Sequence, residues 1–380
     1  MLTCQKDRFF LPDDEHYLNC AYMSPTSQAV EAAGLAGVAR KRVPSRIAVT
    51  DFFTGADRAR ALFAQLINAP DPARVALIPA ASYGLAIAAR NLPAARGQSI
   101  VVTHEQFPAN VLAWRRMAQE RGVEMRTVLP PEVSEGRGRE WNARLLEAID
   151  RSTAIVALGH VHWTDGTKFD LEAIGRRARE VGAALVVDGS QSIGAMPFDV
   201  AAVQPDVLVC PTYKWLMGPY SMGFAYLGPR FDDGVPIEET WIGRAGSENF
   251  QDLVRYRDDY QPGAARYDVG ERSNFALLPM AIAALEQLLD WQPSRVQDYC
   301  RALTAEVFAV AQAKGYTVEA PAYRGAHLFG LRAPAGTSIT AVGERLRARQ
   351  VFVSLRGSAL RVAPHVYNDA RDIAALLDAL

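Results

Sequence analysis

Cysteine is scarce in this sequence, and neither a long apolar run nor an excess of one charge sign is present. Four cysteines (Cys4, Cys20, Cys210 and Cys300) are scattered over 380 residues, with no CxxC pair and no histidine at metal-ligand spacing. We therefore expect no disulfide framework, no metal site, and reduced thiols in a cytoplasmic protein. The polar, charged first residues and the absence of a span-length apolar run also predict no membrane partner.

Signatures of nucleotide and nucleic-acid binding are missing as well. The formal net charge is −1, so no global field attracts nucleic acid. No G-x-G-x-x-G motif opens a βαβ unit, and the stretch from Gly159 to Gly166 lacks the spacing of a P-loop. We therefore expect no nucleic-acid partner, and the sequence argues against a nucleotide-dependent enzyme.

Short apolar runs alternate with longer amphipathic stretches from about residue 74 onwards. The stretches 109–121 and 170–181 have helical patterns, while the apolar runs are rich in Val, Ile, Leu and Ala, as is typical of strands buried on both faces. The alternation predicts an α/β fold with a mostly parallel, seven-stranded sheet between helices. The seven runs are 74–79, 99–103, 123–128, 153–159, 183–188, 206–210 and 223–227.

The chain is long enough for two structural units. An irregular link at 258–263 predicts a large domain over 15–262 and a smaller α+β domain over 263–380, on which residues 1–14 pack. An exposed loop is predicted over 130–141 from its glycines. The smaller domain should contain helices at 277–291, 293–313, 341–349 and 370–380, and strands near 326–332 and 360–363.

Lysine is the rare basic residue here, which narrows the search for a reactive amine. Only five of the 41 basic residues are lysines, and Lys214 alone lies in apolar and aromatic company, directly after a predicted buried strand. Burial disfavours the charged form of a lysine, lowers its pKa and frees the amine as a nucleophile. The alternative is a lysine whose stem is buried while its amine reaches water, and the segment alone does not choose between the two.

Several residues suited to one site follow the carboxyl ends of predicted strands, where open α/β sheets bind ligands. Asp188 would need a cationic partner at that depth, although it could instead cap the next helix. The segment 80–84, which contains Ala81 and Ser82, joins a strand to a helix expected to begin near Gly84. Its backbone N–H groups could hold a phosphate, or Ser82 could be a plain helix cap. The strand-end residues are Ser82, Phe107, Trp163, Asp188 and Lys214.

Two segments carry a resemblance to a known family. Val-Val-Asp-Gly-Ser-Gln at 186–191 and Pro-Thr-Tyr-Lys at 211–214 resemble the class V aminotransferase superfamily of fold-type I pyridoxal-5′-phosphate (PLP) enzymes. The separation of 214 − 188 = 26 positions between the aspartate and the lysine suits that family. The likeness extends from residue 17 to residue 368. It implies a PLP cofactor held as a Schiff base on Lys214 and a small amino-acid substrate.

The resemblance also implies roles for individual residues. Asp188 would pair with the pyridine nitrogen, Gln191 would bind the ring oxygen, Ser82 and Tyr213 would bind phosphate beside Ala81, and Phe107 and Trp163 would lie at the ring. Arg361 would grip the substrate carboxylate, with Arg356 able to share it, and Tyr22 is a candidate substrate contact. In such homodimers the active sites lie at the interface, so the candidates for cross-subunit contacts are Trp241, Ser273 and Asn274.

At some positions this sequence differs from the patterns of particular family members, and these differences bear on which reaction it catalyses. Cysteine desulfurases and selenocysteine lyases carry a mobile cysteine before the carboxylate-binding arginine, and residues 301–380 contain none. Kynureninase-like features are present at Phe107 and Trp163, but Arg244 stands where a histidine is expected. Four histidines could be substrate contacts or hydrogen-bonded structural residues: His104, His162, His327 and His365.

We expect aminotransferase-type chemistry. The alternatives are a β-eliminating lyase (a C–S lyase or a kynureninase-like enzyme) and an epimerase, because all three reactions use the same residues. A more distant alternative is a non-catalytic protein of the same fold. Such a protein would be marked by a missing lysine or an added DNA-binding module, and the sequence has neither feature.

Overall fold

A central sheet of seven strands organises most of the molecule. In the computed structural model, which describes residues 2–132 and 136–380, the strand order is β2-β8-β7-β6-β5-β3-β4. Strand β8 runs antiparallel to both of its neighbours, and the remaining pairs are parallel, which confirms the mostly parallel sheet. The strands are β2 (Val75–Ile78), β3 (Ser99–Thr103), β4 (Glu124–Val128), β5 (Thr153–Gly159), β6 (Ala184–Asp188), β7 (Val207–Pro211) and β8 (Gly223–Leu227).

Helices cover both faces of this sheet, which is why its inner strands are apolar on both sides. Leu185 and Val187 face one buried cluster, while Ala184 and Val186 face another, as the two-residue period of a strand requires. The helices are α1 (Gln28–Arg40), α2 (Thr54–Leu66), α3 (Ala81–Asn91), α4 (Ala109–Arg121), α5 (Arg137–Ala148), α6 (Leu171–Val181), α7 (Val200–Val203), α8 (Leu277–Trp291), α9 (Pro293–Leu303), α10 (Ala305–Ala313), α11 (Ile339–Ala348) and α12 (Ala370–Ala379).

The C-terminal part of the chain builds a second, smaller sheet with its own apolar core. Its three antiparallel strands have the order β11-β12-β9, and Leu331, Leu360 and Leu376 belong to the cluster beneath them. The N-terminal residues contact this part, since Phe9 packs against Tyr367 with ring centroids 5.4 Å apart. The remaining strands are β1 (His16–Tyr17), β9 (Phe329–Arg332), β10 (Val351–Phe352), β11 (Ser354–Arg356) and β12 (Ala359–Val362), with β1 parallel to β10.

The prediction of an exposed loop over 130–141 is wrong for the second half of that range. Helix α5 begins at Arg137, and Gly138 and Trp141 are buried. A Cβ atom on Gly138 would lie 2.5 Å from the Cβ atom of Tyr323, so glycine here allows close packing rather than a turn. Residues 133–135 of the expected loop lie outside the described residues.

Two other expected boundaries differ from the structure. The helical pattern 293–313 is broken at Thr304 into α9 and α10. Helix α3 begins at Ala81, three residues before the expected position near Gly84. The irregular link at 258–263 is present. No helix among the described residues is both long enough and apolar enough to cross a membrane.

A buried ion cluster ties the C-terminal sheet to the rest of the chain. The Asp165 carboxylate accepts a hydrogen bond from Arg137 Nη1 at 2.8 Å and another from Arg332, which lies on β9. Burial opposes ionisation of Asp165, but His162, Arg137 and Arg332 hold the pKa of its carboxyl well below the ordinary range. The cluster therefore contains an ionised carboxylate between two guanidinium groups.

The substitution Asp165→Asn should lower the free energy of unfolding by about 3–5 kcal/mol, because it leaves two guanidinium groups without their counter-charge. Urea unfolding followed by circular dichroism measures the change. Asp298→Asn is the matched control: it removes the exposed pair with Arg301, 2.7 Å apart, and should cost less than about 1 kcal/mol. Equal effects of the two substitutions would contradict a stabilising role for the cluster.

Candidate active site

A pocket lies at the carboxyl edge of the central sheet, where β3, β5, β6 and β7 end. It brings together four of the five residues expected at strand ends: Phe107, Trp163, Asp188 and Lys214. The fifth, Ser82, is not part of its wall. The complete wall consists of Gln106, Phe107, Gly159, Val161, His162, Trp163, Asp188, Ser190, Gln191 and Lys214.

Lys214 is held in the turn that follows β7. The Lys214 carbonyl accepts a hydrogen bond from Met217 N at 3.0 Å, and Met217 has a positive φ of 53°. The lysine is only 7% exposed, and its Nζ lies 5.2 Å from the centroid of the Phe107 ring. Burial lowers the pKa of Lys214 to about 8, although the charge of Asp188 opposes that shift. The amine is therefore far easier to deprotonate than that of an exposed lysine.

Asp188 is a buried carboxylate that forms no salt bridge in the described part of the chain. Its Oδ1 accepts a hydrogen bond from Ser190 N at 2.9 Å, so it closes a turn and does not cap a helix. Among the described residues no arginine, lysine or histidine lies within salt-bridge distance of Asp188. A buried, unpaired carboxylate is costly unless a cation approaches it. A protonated pyridine nitrogen would be such a cation.

Two aromatic side chains form one wall of the pocket. The rings of Phe107 and Trp163 meet edge to face, with centroids 5.5 Å apart. Trp163 Nε1 donates to the carbonyl oxygen of Glu105 at 2.7 Å. Glu105 has a positive φ of 51°, a backbone conformation that a non-glycine residue adopts only when its surroundings hold it. That turn after β3 fixes the direction in which Phe107 projects.

Arg361 lies on β12 beside this wall and is almost completely buried, with 2% of it exposed. It donates to the carbonyl oxygen of Trp163 at 2.7 Å and to Ser354 Oγ at 3.1 Å, while its Nε has no hydrogen-bond partner. Burial and the charge of Arg356 lower the pKa of Arg361 to about 9. Arg356 itself lies with its guanidinium 5.3 Å from the centroid of the Trp163 ring.

The N-terminus of α3 provides backbone N–H groups near the expected phosphate position. No side chain caps this helix at Ala80, and Ser82 is exposed in its first turn. A Cβ atom on Gly84 would lie 2.6 Å from Val209 Cγ1 on β7, so glycine lets the helix start lie directly on the sheet. Tyr213 is half-buried and packs on Tyr220, with ring centroids 4.6 Å apart.

Gln191 lies in the pocket wall, but most of its amide is already hydrogen-bonded. Its Oε1 accepts from Trp215 Nε1 at 2.8 Å, and its Nε2 donates to the carbonyl oxygen of Ala21 at 3.1 Å. One amide hydrogen therefore remains for the expected contact with a ring oxygen. The bond to Ala21 attaches residues 17–25 to the pocket wall, and Tyr22 in that segment is 58% exposed.

Three expected site residues lie together but outside this pocket. Trp241, Ser273 and Asn274 line a separate depression beside α1 and the start of α8. Ser273 Oγ donates to the carbonyl oxygen of Phe52, while Asn274 Oδ1 accepts from Leu277 N at 2.9 Å. Trp241 is 39% exposed. Within one chain, none of the three residues lines the Lys214 pocket.

The sequence did not identify Gln106, Ser190 or Gly159 as residues of the pocket wall. Gln106 Nε2 donates to the carbonyl oxygens of Asn110 and Ala157, and those partners come from two separate elements. The sequence signal that could have identified Gln106 is its position directly before Phe107, in the loop after β3.

Three of the four candidate histidines, His162, His327 and His365, are buried within the protein. His162 lies in the pocket wall, but its ring nitrogens contact Thr164 Oγ1 and the His104 carbonyl oxygen. His327 contacts Gln297 and the Gln191 carbonyl oxygen, and burial lowers its pKa to about 4. His365 is fully buried, and burial lowers its pKa to about 3. His327 and His365 lie outside the pocket wall, and both ring nitrogens of His162 already contact protein oxygens.

Comparison with known proteins identifies the family. A family model described as aminotransferase class-V matches residues 44–248, more than half of the chain. The chain therefore belongs to the class-V aminotransferase family, as its motifs indicate. Membership makes it a PLP-dependent enzyme of the transferase or lyase type, and the unpaired Asp188 opposite the buried Lys214 fits that cofactor.

Its relatives carry different activities. A Bacillus subtilis protein described as uncharacterized aminotransferase YcbU is 28% identical over 84% of this chain and 81% of its own length. Isopenicillin N epimerase from Streptomyces clavuligerus is 26% identical over 85% of this chain and 83% of its own length. A cysteine desulfurase from Thermococcus onnurineus has a TM-score of 0.84 at 19% identity, covering 100% of this chain and 97% of its own. The last likeness confirms the fold class.

Reductive methylation of the cofactor-free protein should modify Lys214 with a midpoint near pH 8, because burial lowers its pKa to about that value from 10.5. Mass spectrometry of the modified peptide over a pH series measures the midpoint. In Asp188→Asn the midpoint should fall further, since the charge of Asp188 favours the ammonium form. A midpoint at or above pH 10.5 would show that the amine is not desolvated.

Proposed function

We propose that this protein acts on a small α-amino acid through a Schiff base on Lys214, with aminotransferase-type chemistry. The observation that carries the proposal is the pairing of a buried, readily deprotonated amine with a buried, unpaired carboxylate in the wall of one pocket. When bound, PLP supplies an electron sink for the electrons of the substrate α-carbon. The protein must then orient the substrate, hold the ring and move one proton.

Each of these tasks has a candidate residue. The Asp188 carboxylate would hold the proton on the pyridine nitrogen, and the N-terminus of α3 with Ser82 and Tyr213 would bind the phosphate. Arg361 would bind the α-carboxylate, because it is buried and no carboxylate among the described residues pairs with it. A planar guanidinium with free N–H groups suits bidentate binding of a carboxylate.

The distribution of acids and bases favours proton movement on one side of the substrate. Lys214 is the natural general base, since its amine can accept and return a proton near neutral pH. Of the other pocket residues, Asp188 is committed to the ring, and the nitrogens of His162 already contact Thr164 and His104. Epimerisation would need a second proton donor on the opposite face. This arrangement favours transamination over epimerisation.

A β-eliminating lyase remains the second candidate. The aromatic pair of Phe107 and Trp163 gives the pocket an apolar wall suited to a leaving group without charge. A persulfide mechanism, in contrast, lacks its nucleophile. Residues 301–380 contain no cysteine, and β11 is joined to β12 by only two residues, Gly357 and Ser358.

We also propose a cytoplasmic homodimer with active sites at the interface. Trp241 packs on Phe52 and Phe250 and is 39% exposed, so an apolar surface lies beside Ser273 and Asn274. An exposed aromatic cluster of this kind suits burial against a second copy of the chain. In such a dimer these residues would border the partner's pocket.

Borohydride reduction of the holoprotein should fix the cofactor on Lys214, because reduction makes a Schiff base permanent. Peptide mapping by mass spectrometry measures the position of the added mass. Lys214→Ala should carry no label, whereas Lys168→Ala, which removes a half-buried lysine outside the pocket wall, should be labelled normally. Label on another lysine, or none on the wild type, would overturn the proposed function.

Incubation of the holoenzyme with amino acids and no keto acid should convert the cofactor to pyridoxamine phosphate. This result follows from transamination, whose first half leaves the amino group on the cofactor. Absorbance spectra and chromatography of the released cofactor measure the conversion. A 2-keto acid and a free leaving group, with the cofactor unchanged, would contradict transamination and support the lyase.

A further inference from the structure

Two arginines beside the Lys214 pocket have no carboxylate partner within residues 2–132 and 136–380. Among the described residues, neither Arg356 nor Arg361 forms a salt bridge, whereas 18 other arginines pair with acids, for example Arg137 and Arg272. The Nε atoms of Arg356 and Arg361 are buried and have no hydrogen-bond partner. Buried donors of this kind are costly unless a ligand satisfies them.

Strand pairing places the two arginines on one face of the C-terminal sheet. Arg361 on β12 is directly opposite Ser354 on β11, and its Nη2 donates to the Ser354 hydroxyl at 3.1 Å. Arg356 follows Ser354 by two positions on the same strand, so its side chain leaves the sheet on the same side. Both guanidinium groups therefore project toward Trp163.

Arg356 and Arg361 contact different parts of Trp163. The backbone carbonyl of Trp163 accepts from Arg361 Nη1 at 2.7 Å, while the guanidinium of Arg356 lies 5.3 Å from the centroid of the indole ring. Arg356 is partly exposed, and its one side-chain hydrogen bond within the described residues goes to the carbonyl oxygen of Leu355 at 2.8 Å. Arg361 is thus the deep cation, and Arg356 is the cation nearer to solvent.

The local charge balance favours an anion. Lys214, Arg356 and Arg361 are close enough to influence one another, since both arginines disfavour the charged form of Lys214. Asp188 is the acidic residue in the pocket wall. One α-carboxylate on Arg361 would leave the charge of Arg356 without a counter-charge.

We propose that Arg356 binds a second anionic group, at the end of the substrate side chain, so that the preferred substrates are short acidic amino acids. This inference rests on the proposed function, because it assumes that Arg361 holds the α-carboxylate. A carboxylate or sulfinate on the side chain would meet the free N–H groups of Arg356 in bidentate geometry. The indole ring of Trp163 would keep the guanidinium in position through cation–π contact.

The test compares succinate with butyrate, which has a methyl group in place of one carboxylate. Neither compound has an amine, so calorimetric titration of the holoenzyme measures binding without reaction. Succinate should bind about tenfold more tightly than butyrate, as expected for one partly exposed charge-assisted contact. In Arg356→Gln that preference should disappear while butyrate binding stays within about twofold.

Two further variants make the result specific. Arg356→Lys keeps the charge but not the planar fork, and should retain part of the preference. Arg324→Gln is the matched control, because Arg324 also lies on an aromatic ring, 3.5 Å from the Phe308 centroid, outside the pocket wall. It should leave the preference unchanged.

Equal binding of succinate and butyrate by the wild type, or a preference that survives in Arg356→Gln, would overturn the inference. Borohydride labelling of the same preparations separates this failure from a failure of the proposed function. With label on Lys214 and no preference for succinate, only the assignment of Arg356 is wrong. Without label on Lys214, the proposed function fails as well.

Discussion

The structure depends on the removal of two opposite charges from water at one edge of the central sheet. Asp188 ends β6, Lys214 lies in the turn after the neighbouring strand β7, and each is only 7% exposed. Burial lowers the pKa of the lysine to about 8, and the aspartate has no cationic partner among the described residues. Each group is costly without a ligand. A cofactor that takes the amine covalently and offers a protonated nitrogen to the carboxylate removes both costs together.

The remaining site residues are organised around that pair by the sheet and its loops. The turn at Glu105 sets the direction of the Phe107 side chain, and the hydrogen bond from Trp163 to that turn fixes the indole ring. Arg361, on the smaller sheet, donates to the backbone carbonyl of Trp163. The cluster around Asp165 connects the smaller sheet to the rest of the chain, because Asp165 binds both Arg137 on α5 and Arg332 on β9. The two parts of the chain therefore meet at Trp163, in the pocket wall, and at the buried ion cluster around Asp165.

Sequence patterns were sufficient for the sheet and for the centre of the site. Runs of buried apolar residues mark strands, and the geometry of parallel sheets brings their carboxyl ends to one edge, which placed Phe107, Trp163, Asp188 and Lys214 together. The prediction of a loop at Gly138 failed because this glycine allows close contact with Tyr323, a residue far away in the chain. The contact of Arg356 with the Trp163 ring likewise depends on a residue distant in the chain, whereas Gln106 had a local sign, its position directly before Phe107.

The protonation state of the cofactor ring tests the central claim most directly. Holoenzyme prepared with ¹⁵N-labelled PLP reports the proton on the pyridine nitrogen through its NMR chemical shift. If Asp188 is left unpaired in order to bind that nitrogen, the wild type should show a protonated nitrogen and Asp188→Asn an unprotonated one. An unprotonated nitrogen in the wild type, or the same shift in both proteins, would contradict the account.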